Sequence, residues 1–339
     1  MTDRELRVLE AVIQTYIETA EPAGSQAIAR RCGLGVSSAT IRNTMSELEE
    51  RGYLFHPHTS AGRIPTDRGY RAYVDNLHQR APLSPIQREQ LEAEMQGPKS
   101  TIEEILRRAA QVLGVLTQEL GVAAAPALDE TVLERIELVQ VASDRLLMVF
   151  NLQSGVVRTI FVQIPSSIAP AAVQGVTRIL NERLAGLALR EIRRTLADRL
   201  RDVGAPAGSR ELINIFLAEG EDMFALPDEG STVVLSGATA LAEQPEFTRT
   251  GRMRTLLELT ERRDLLVEAL KARRGQGLMV TIGAEHDDPR LADFTLVTAP
   301  YRVGELTGVI GVLGPTRMPY DKIIGLVDHT SRLVEGLME

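Results

Sequence analysis

In the N-terminal part of the chain, apolar residues recur at helical spacing in three successive segments. Two short runs with a strand-like pattern follow them. The helical spacing predicts a first helix from Asp3 to Thr19. A short second helix, "SQAIARRCG", begins at Ser25, a favourable N-cap residue, and a third runs from Ser38 to Arg51, before Gly52. The runs "YLFHP" and "RIPT" then predict two strands around the tip "HTSAG". Three helices followed by a hairpin are typical of a winged helix-turn-helix.

The rest of the chain mixes helical and strand patterns. A fourth helix is predicted over "TDRGYRAYVDNLHQR", capped by Thr66, and "APLSP" (81–85) and "QGPKS" (96–100) indicate a hinge. A helix, three strands, several helices, three more strands and a last helix from Pro319 follow. We therefore predict an α+β multidomain protein whose α/β sheet domain is interrupted by a mostly helical insertion. The predicted boundaries are 1–80 for the winged helix-turn-helix, 81–100 for the linker, 101–185 and 249–339 for the sheet domain, and 186–248 for the insertion.

The third helix carries side chains suited to reading bases. Ile41, Met45 and Leu48 share one face and are predicted to be buried. Arg42 and Asn43 fall on the opposite side, and these residue types make bidentate contacts with guanine and adenine. The small residues Ser38, Ala39 and Thr40 would let the helix enter a major groove. The alternative is a solvated helix whose polar face has no function.

Charge is distributed unevenly along the chain. The whole protein has a net charge of −8, yet residues 25–71 hold seven arginines against four acids, a local excess of three positive charges. A positive patch on an acidic protein is typical of a DNA-reading module joined to a larger body. The single cysteine, Cys32, and the charged N-terminus suit a cytoplasmic protein, and no apolar run is long enough to span a membrane.

The hairpin stretch "HPHTSAGRIPT" (56–66) contains no carboxylate. A hairpin beside a groove-reading helix lies against phosphates, which repel carboxylates. His58, Ser60 and Arg63 can donate hydrogen bonds to phosphate or to the minor groove, and Gly62 would permit a tight turn. An ordinary surface turn is the alternative, but the arginine and the missing acids favour contact with DNA.

Three long motifs resemble the HrcA family of heat-inducible transcriptional repressors. They are "VSSATIRNTMSELEERGYLFHPHTSAGRIPTDRGYRAYVD" (36–75), "VVLSGATALAEQPEF" (233–247) and "GVIGVLGPTRMPYDKII" (308–324). The resemblance implies a dimeric repressor of bacterial chaperone operons that binds an inverted-repeat operator. It also implies a GAF-like domain interrupted by an inserted dimerisation domain, and activity assisted by chaperonin. DNA contact is carried over to matching positions: Ser38, Thr40, Arg42, Asn43, His58, Ser60 and Arg63.

Other candidate sites carry less weight. "EHDDP" (285–289) could bind a divalent cation, although a solvated loop is the favoured interpretation. Arg317, Tyr320 and Lys322 could bind an anionic effector, but a turn before the last helix is favoured. Gly304, Gly308, Gly311 and Gly314 imitate a phosphate loop without its lysine. No metal, cofactor or catalytic group is predicted.

The predicted function is sequence-specific repression through double-stranded DNA, with no membrane partner. Amphipathic faces in the insertion are the predicted dimer contacts: Leu189, Ile192 and Leu196 on one helix, and Leu212, Ile215 and Phe216 on the next. One alternative is a winged-helix repressor whose GAF-like domain senses a small metabolite, which one compound would release from its operator. Another is an enzyme whose helical N-terminus docks a protein, which would show no operator preference.

Overall fold

Helices and antiparallel sheets alternate along the chain in the computed structural model. It describes residues 1–31, 35–58, 62–77, 83–96, 101–126, 131–164, 168–202, 204, 207–224, 233–248, 250–261 and 263–338. The helices are α1 (Asp3–Thr19), α2 (Ser25–Arg31), α3 (Ser38–Glu50), α4 (Asp67–Asp75), α5 (Pro85–Met95), α6 (Ile102–Thr117), α7 (Pro170–Leu184), α8 (Leu189–Arg201), α9 (Ala207–Met223), α10 (Ala238–Ala242), α11 (Thr250–Glu261), α12 (Asp264–Lys271) and α13 (Tyr320–Met338). The strands are β1 (Leu54–Phe55), β2 (Ile64–Pro65), β3 (Leu120–Ala124), β4 (Leu133–Ala142), β5 (Arg145–Leu152), β6 (Val157–Gln163), β7 (Val233–Ser236), β8 (Met279–Ile282), β9 (Phe294–Val303) and β10 (Leu306–Pro315).

The N-terminal helices begin where local capping chemistry predicts. The side chain of Thr2 accepts from the backbone of Glu5 in a capping box before α1, and Thr66 accepts from the backbone of Gly69 at the start of α4. The predicted bounds of α1 are confirmed. The hairpin is confirmed as well, although each strand has only two residues, paired Leu54 with Pro65 and Phe55 with Ile64.

The segment 81–100, predicted as a linker, contains a helix. Pro85 opens α5, and Ser84 and Gln87 form its capping box. Leu91 and Met95 are buried, and the Met95 carbonyl accepts a 2.9 Å hydrogen bond from Arg108 of α6. The prolines and glycine at the flanks suggested a hinge, but the apolar residues between them are spaced to pack one helical face. Part of the predicted hinge, residues 81–82 and 97–100, lies outside the described residues.

The chain forms two compact units. The first comprises Met1–Ala124, Val233–Tyr301 and Val309–Leu337, and the second comprises Ala125–Thr232, Arg302–Gly308 and Met338–Glu339. A five-stranded sheet in the order β7-β3-β10-β9-β8 contributes strands to the first unit. One of its hydrophobic clusters includes Leu120, Phe247, Phe294 and Leu313.

The second unit contains a separate sheet in the order β4-β5-β6 together with α7, α8 and α9. The sequence analysis placed these strands in the first part of the sheet domain and began the insertion at 186. In the structure the main segment of this unit is Ala125–Thr232, and β7 returns to the larger sheet by pairing with β3. Strand patterns are local, whereas the choice of a partner strand is not, so the pattern could not assign these strands to a sheet.

The predicted dimer faces of α8 and α9 are buried within their own unit. Leu189, Ile192 and Leu196 are at most 3% exposed, and Leu212 and Phe216 are fully buried in the same core. Their amphipathic spacing therefore reflects packing inside the second unit. Along the described parts of the chain, no helix combines the length and the apolar character needed to cross a membrane.

Candidate nucleic-acid interface

Helix α3 is anchored by one apolar face and a capped N-terminus. The Ser37 hydroxyl accepts a 3.2 Å hydrogen bond from the backbone N–H of Thr40. Ile41, Met45 and Leu48 are at most 1% exposed, as the helical spacing predicted. Burial of this face fixes the rotation of α3 about its axis, and the first turns therefore present a defined set of side chains to solvent.

That set includes the two predicted base-reading residues. Arg42 and Asn43 are exposed next to each other, and Ala39 is exposed one turn before Asn43. Ser38 and Thr40 are half-buried, and the Thr40 hydroxyl lies 3.0 Å from the Ser37 hydroxyl. Thr40 therefore supports the start of the helix, while the guanidinium of Arg42 and the amide of Asn43 are the groups available for base edges.

Arg63 occupies a different position from the one predicted. It is only 9% exposed, its Nε donates to Glu49 Oε2 at 3.0 Å, and its Nη2 donates to the Ser46 hydroxyl at 2.7 Å. Both acceptors belong to α3. Arg63 therefore connects the hairpin to α3, and its predicted contact with phosphate stays a prediction.

A second side chain of the hairpin reaches the same carboxylate. His56 Nδ1 lies 2.6 Å from Glu49 Oε1. Partial burial works against ionisation of Glu49, but the hydrogen bonds from His56 and Arg63 outweigh it and lower the pKa of Glu49. Ser46 completes the connection, because its hydroxyl donates to the Arg42 carbonyl at 3.1 Å. We call Ser46, Glu49, His56 and Arg63 the hairpin brace.

The backbone also holds the hairpin in place. Arg63 and Ala23 exchange two hydrogen bonds, Arg63 N–H to Ala23 O at 3.0 Å and Ala23 N–H to Arg63 O at 2.9 Å. Gly62 faces this contact so closely that an added Cβ would lie 2.4 Å from the Ala23 carbonyl group. The glycine is therefore required by close backbone approach to residues 22–23, rather than by the tight turn that the sequence suggested.

The hairpin tip is only partly described. His58 is exposed, as expected of a residue that contacts phosphate. Ser60 lies outside the described residues, between 58 and 62.

The arginines of residues 25–71 divide into two groups. Three of them pair with carboxylates: Arg51 with Glu5, Arg63 with Glu49, and Arg71 with Glu285 and Asp75. Among the described side chains, Arg30, Arg42 and Arg68 are exposed and pair with no carboxylate. The Arg68 guanidinium stacks over the Tyr53 ring at 4.7 Å from its centroid. The sequence analysis did not single out Arg68, although an arginine beside a hairpin aromatic residue is a recognisable cation–π pattern.

The charged side chains of the remaining candidate sites, the loop after β8 and the turn before α13, contact other groups of the protein itself. Glu285 pairs with Arg71, and Asp288 pairs with Arg290 at 2.6 Å. Arg317 pairs with Glu246, and Lys322 Nζ donates to the Leu116 carbonyl at 2.8 Å. Within the described ranges no group of three or more His, Cys, Asp or Glu residues is placed to hold a metal ion.

Comparison with known proteins gives a consistent result. A family model described as the HrcA protein C terminal domain matches residues 103–324. The heat-inducible transcription repressor HrcA of Chlorobium phaeobacteroides (strain BS1) is 37% identical over 341 residues, covering 97% of this chain and 96% of the relative. The repressor of the same name from Geobacter sulfurreducens is 34% identical over 343 residues, covering 100% and 98% of the two chains. A crystal structure described as that of a hypothetical protein shares the fold, with a TM-score of 0.70, 24% identity, and coverage of 100% of this chain and 98% of that one.

The class of protein follows from these relatives, which are named as transcription repressors, a role without catalysis. Both relatives match nearly the whole chain, so the N-terminal helices and the hairpin lie within the aligned length. The chain belongs to the HrcA family of heat-inducible transcription repressors. The resemblance found in the three sequence motifs is thereby confirmed.

Proposed function

We propose that the chain represses heat-shock and chaperone operons by binding an inverted-repeat operator in the cytoplasm, with α3 as the reading helix of a winged helix-turn-helix. One observation carries this proposal: Arg42 and Asn43 are exposed on the first turns of a helix that the hairpin brace fixes to its neighbouring hairpin. A helix presenting these residue types can make bidentate contacts in the major groove. The hairpin then lies beside the groove, with His58 and Ser60 towards the backbone.

Dimerisation follows from the small footprint of one reading helix. A single helix reads too few base pairs for selective binding, so two copies related by a two-fold axis would bind the two half-sites. The second unit is the proposed dimerisation domain, inserted into a GAF-like domain. Its helical faces are buried in its own core, but the outer face of the β4-β5-β6 sheet exposes large apolar side chains. They are Val139 (46% exposed), Val141 (49%), Val157 (59%) and Phe161 (66%).

Val139 and Phe161 are linked across this face by Leu147. Val139 pairs with Leu147 across β4 and β5, and Leu147 pairs with Phe161 across β5 and β6. Directly opposed side chains of neighbouring strands lie on the same face of a sheet. An apolar face of this kind suits burial against a second copy of itself.

Chaperonin is the proposed modulator, on the strength of family membership. Free chaperonin would raise the fraction of dimer competent to bind DNA, and unfolded client proteins would lower it by competition. The test is a footprint on an inverted repeat from the organism's own chaperone promoter. Occupancy should be weak for the purified protein, rise on addition of chaperonin, and fall again with excess denatured client. Occupancy that ignores chaperonin but responds to one small compound would support the metabolite-sensing alternative.

A further inference from the structure

Three segments that the DNA-reading surface does not use contact one another within the first unit. The first covers the N-cap and most of α4 ("TDRGYRAY", 66–73), the second runs on from the end of β8 ("IGAEHDD", 282–288), and the third joins the end of β10 to the start of α13 ("GPTRMPYD", 314–321). In the sequence the second and third segments have the pattern of separate loops. In the structure they form the surface on which α4 is docked.

Charged contacts hold one side of this docked surface. Arg71 Nε donates to Glu285 Oε1 at 2.7 Å, its Nη2 donates to Glu285 Oε2 at 2.5 Å, and the same Nη2 donates to the Val280 carbonyl at 2.6 Å. Asp67 Oδ2 accepts a 2.9 Å hydrogen bond from the backbone N–H of Ala284. A two-pronged guanidinium–carboxylate contact fixes orientation as well as distance.

Buried aromatic rings hold the centre. Tyr70 and Tyr320 have ring centroids 5.6 Å apart, and Tyr73 lies 6.4 Å from Tyr320. All three are at most 5% exposed. A third contact fastens α1, since Arg317, paired with Glu246, donates its Nη1 to the Ile17 carbonyl at 2.7 Å. We call the contacts of Asp67, Arg71 and Arg317, together with the three tyrosine rings, the α4 clamp.

The clamp leaves the candidate DNA-reading surface open. Arg42, Asn43 and His58 remain exposed while α4 and the end of α1 are engaged. The clamp therefore cannot act by covering the reading helix. It acts on orientation, because it replaces the freely hinged module expected from the sequence with one fastened at three separate places.

Resting on the proposed function, we propose that Arg71 and Glu285 are positioning residues that set the half-site spacing which the dimeric repressor accepts. Two reading helices can engage two half-sites together only when their separation matches the repeat of the operator. A DNA-reading module on a flexible tether can still reach its half-site when the spacer between the half-sites is lengthened. A clamped module cannot.

Spacing tolerance is the measurement that tests this role. The full-length protein and its Arg71→Ala and Glu285→Gln variants are titrated on the natural operator and on one lengthened by about five base pairs, half a helical turn. We expect the wild type to lose on the order of 100-fold in affinity on the lengthened operator, the avidity lost when one half-site is engaged alone. Both variants should lose less than about tenfold, because loss of the guanidinium–carboxylate contact loosens the docking of α4 and widens the range of spacings that the module can reach.

The chain supplies a matched control. Asp75 pairs with the same arginine within α4, at 3.2 Å, and is exposed. Asp75→Asn should therefore keep the wild-type spacing preference. A purely structural role for Arg71 would weaken both operators equally and leave their ratio unchanged, and that result overturns the proposal. Equal tolerance in Asp75→Asn and Arg71→Ala also overturns it, because the contact with Glu285 would then not be the cause.

The two proposals fail in different ways. A wild type that binds no inverted repeat refutes the proposed function, and the spacing role falls with it. A wild type that binds the natural operator and tolerates the lengthened one refutes only the clamp. A readout without DNA supports the same assignment: amide exchange at Ala284, whose N–H donates to Asp67, should accelerate in Asp67→Asn and in Arg71→Ala. Unchanged exchange at this amide in both variants would count against the clamp.

Discussion

Replacing Arg63 by alanine distinguishes a brace from a phosphate contact. The sequence indicated a DNA contact, and the structure places the guanidinium between Glu49 and Ser46 of α3. A phosphate-binding arginine contributes to affinity and to its salt dependence. A brace contributes to stability and to the position of the hairpin. The two roles therefore predict different changes in measurable quantities.

The magnitude follows from the contacts that are lost. A hydrogen bond to a charged group contributes about 1.5–3 kcal/mol. The Arg63 side chain is 10% exposed, but its partner Glu49 is 31% exposed, so solvent screens part of the ion pair. We expect Arg63→Ala to lower the free energy of unfolding by about 2 kcal/mol. The midpoint temperature of thermal unfolding should fall by about 2–4 °C for each kcal/mol lost, as is usual for a large domain.

The assay combines urea unfolding with operator titrations at several salt concentrations, using Arg68→Ala as the control. Arg63→Ala should be less stable and bind its operator about tenfold more weakly, as a loss of about 1.4 kcal/mol implies, with an unchanged slope of log K against log salt. Arg68→Ala removes an exposed arginine that has no carboxylate partner but stacks on Tyr53 and donates to the Arg51 carbonyl. If Arg68 contacts phosphate, the slope should flatten by about one, while stability should fall by less than in Arg63→Ala. The reasoning is refuted if Arg63→Ala keeps its stability and flattens the slope by about one.

Three further predictions address base reading, assembly and pH. Arg42→Ala and Asn43→Ala should each lose about 1–3 kcal/mol at the operator while competitor DNA binds as before; equal losses on both DNAs would exclude α3 as the reading helix. Phe161→Lys should give monomers by light scattering with an unchanged circular dichroism spectrum, and a persistent dimer would place the interface elsewhere. Burial raises the pKa of Glu119 from 4.5 to about 8, so the folded state binds the extra proton between these values and stability falls as pH rises through them. The free energy of unfolding should therefore fall less between pH 6 and pH 8 in Glu119→Gln than in the wild type. An equal fall in the two proteins would contradict this prediction.

Local chemistry explains the elements that the sequence predicted well. The bounds of α1 were recovered because its capping box and apolar period both lie within the segment. The strand β3 was missed, since all five residues of Leu120–Ala124 are buried and such a strand shows no alternation.

Long-range pairing explains why the sequence did not show the partners of these arginines. The sequence showed an arginine in an acid-free hairpin but could not show that Glu49, fourteen residues earlier, accepts its hydrogen bond. Arg71 likewise pairs with Glu285, which is 214 residues away. Helical periodicity predicts which side of α3 is exposed, because that follows from residues a few positions apart. It cannot predict which surface charges are neutralised by distant parts of the chain.

This distinction changes the electrostatic argument for DNA binding. A count of charges over residues 25–71 treats every arginine as available, yet Arg51, Arg63 and Arg71 are already paired with carboxylates. Each phosphate contact strengthens binding to DNA of any sequence. It also steepens the slope of log K against log salt concentration by about 0.9. Under the proposed function, a segment with fewer such contacts would bind bulk DNA more weakly and would depend more on Arg42 and Asn43 for its affinity. Because specificity is the ratio of operator binding to non-specific binding, pairing these arginines within the protein favours a repressor that must select a few operators from a whole genome.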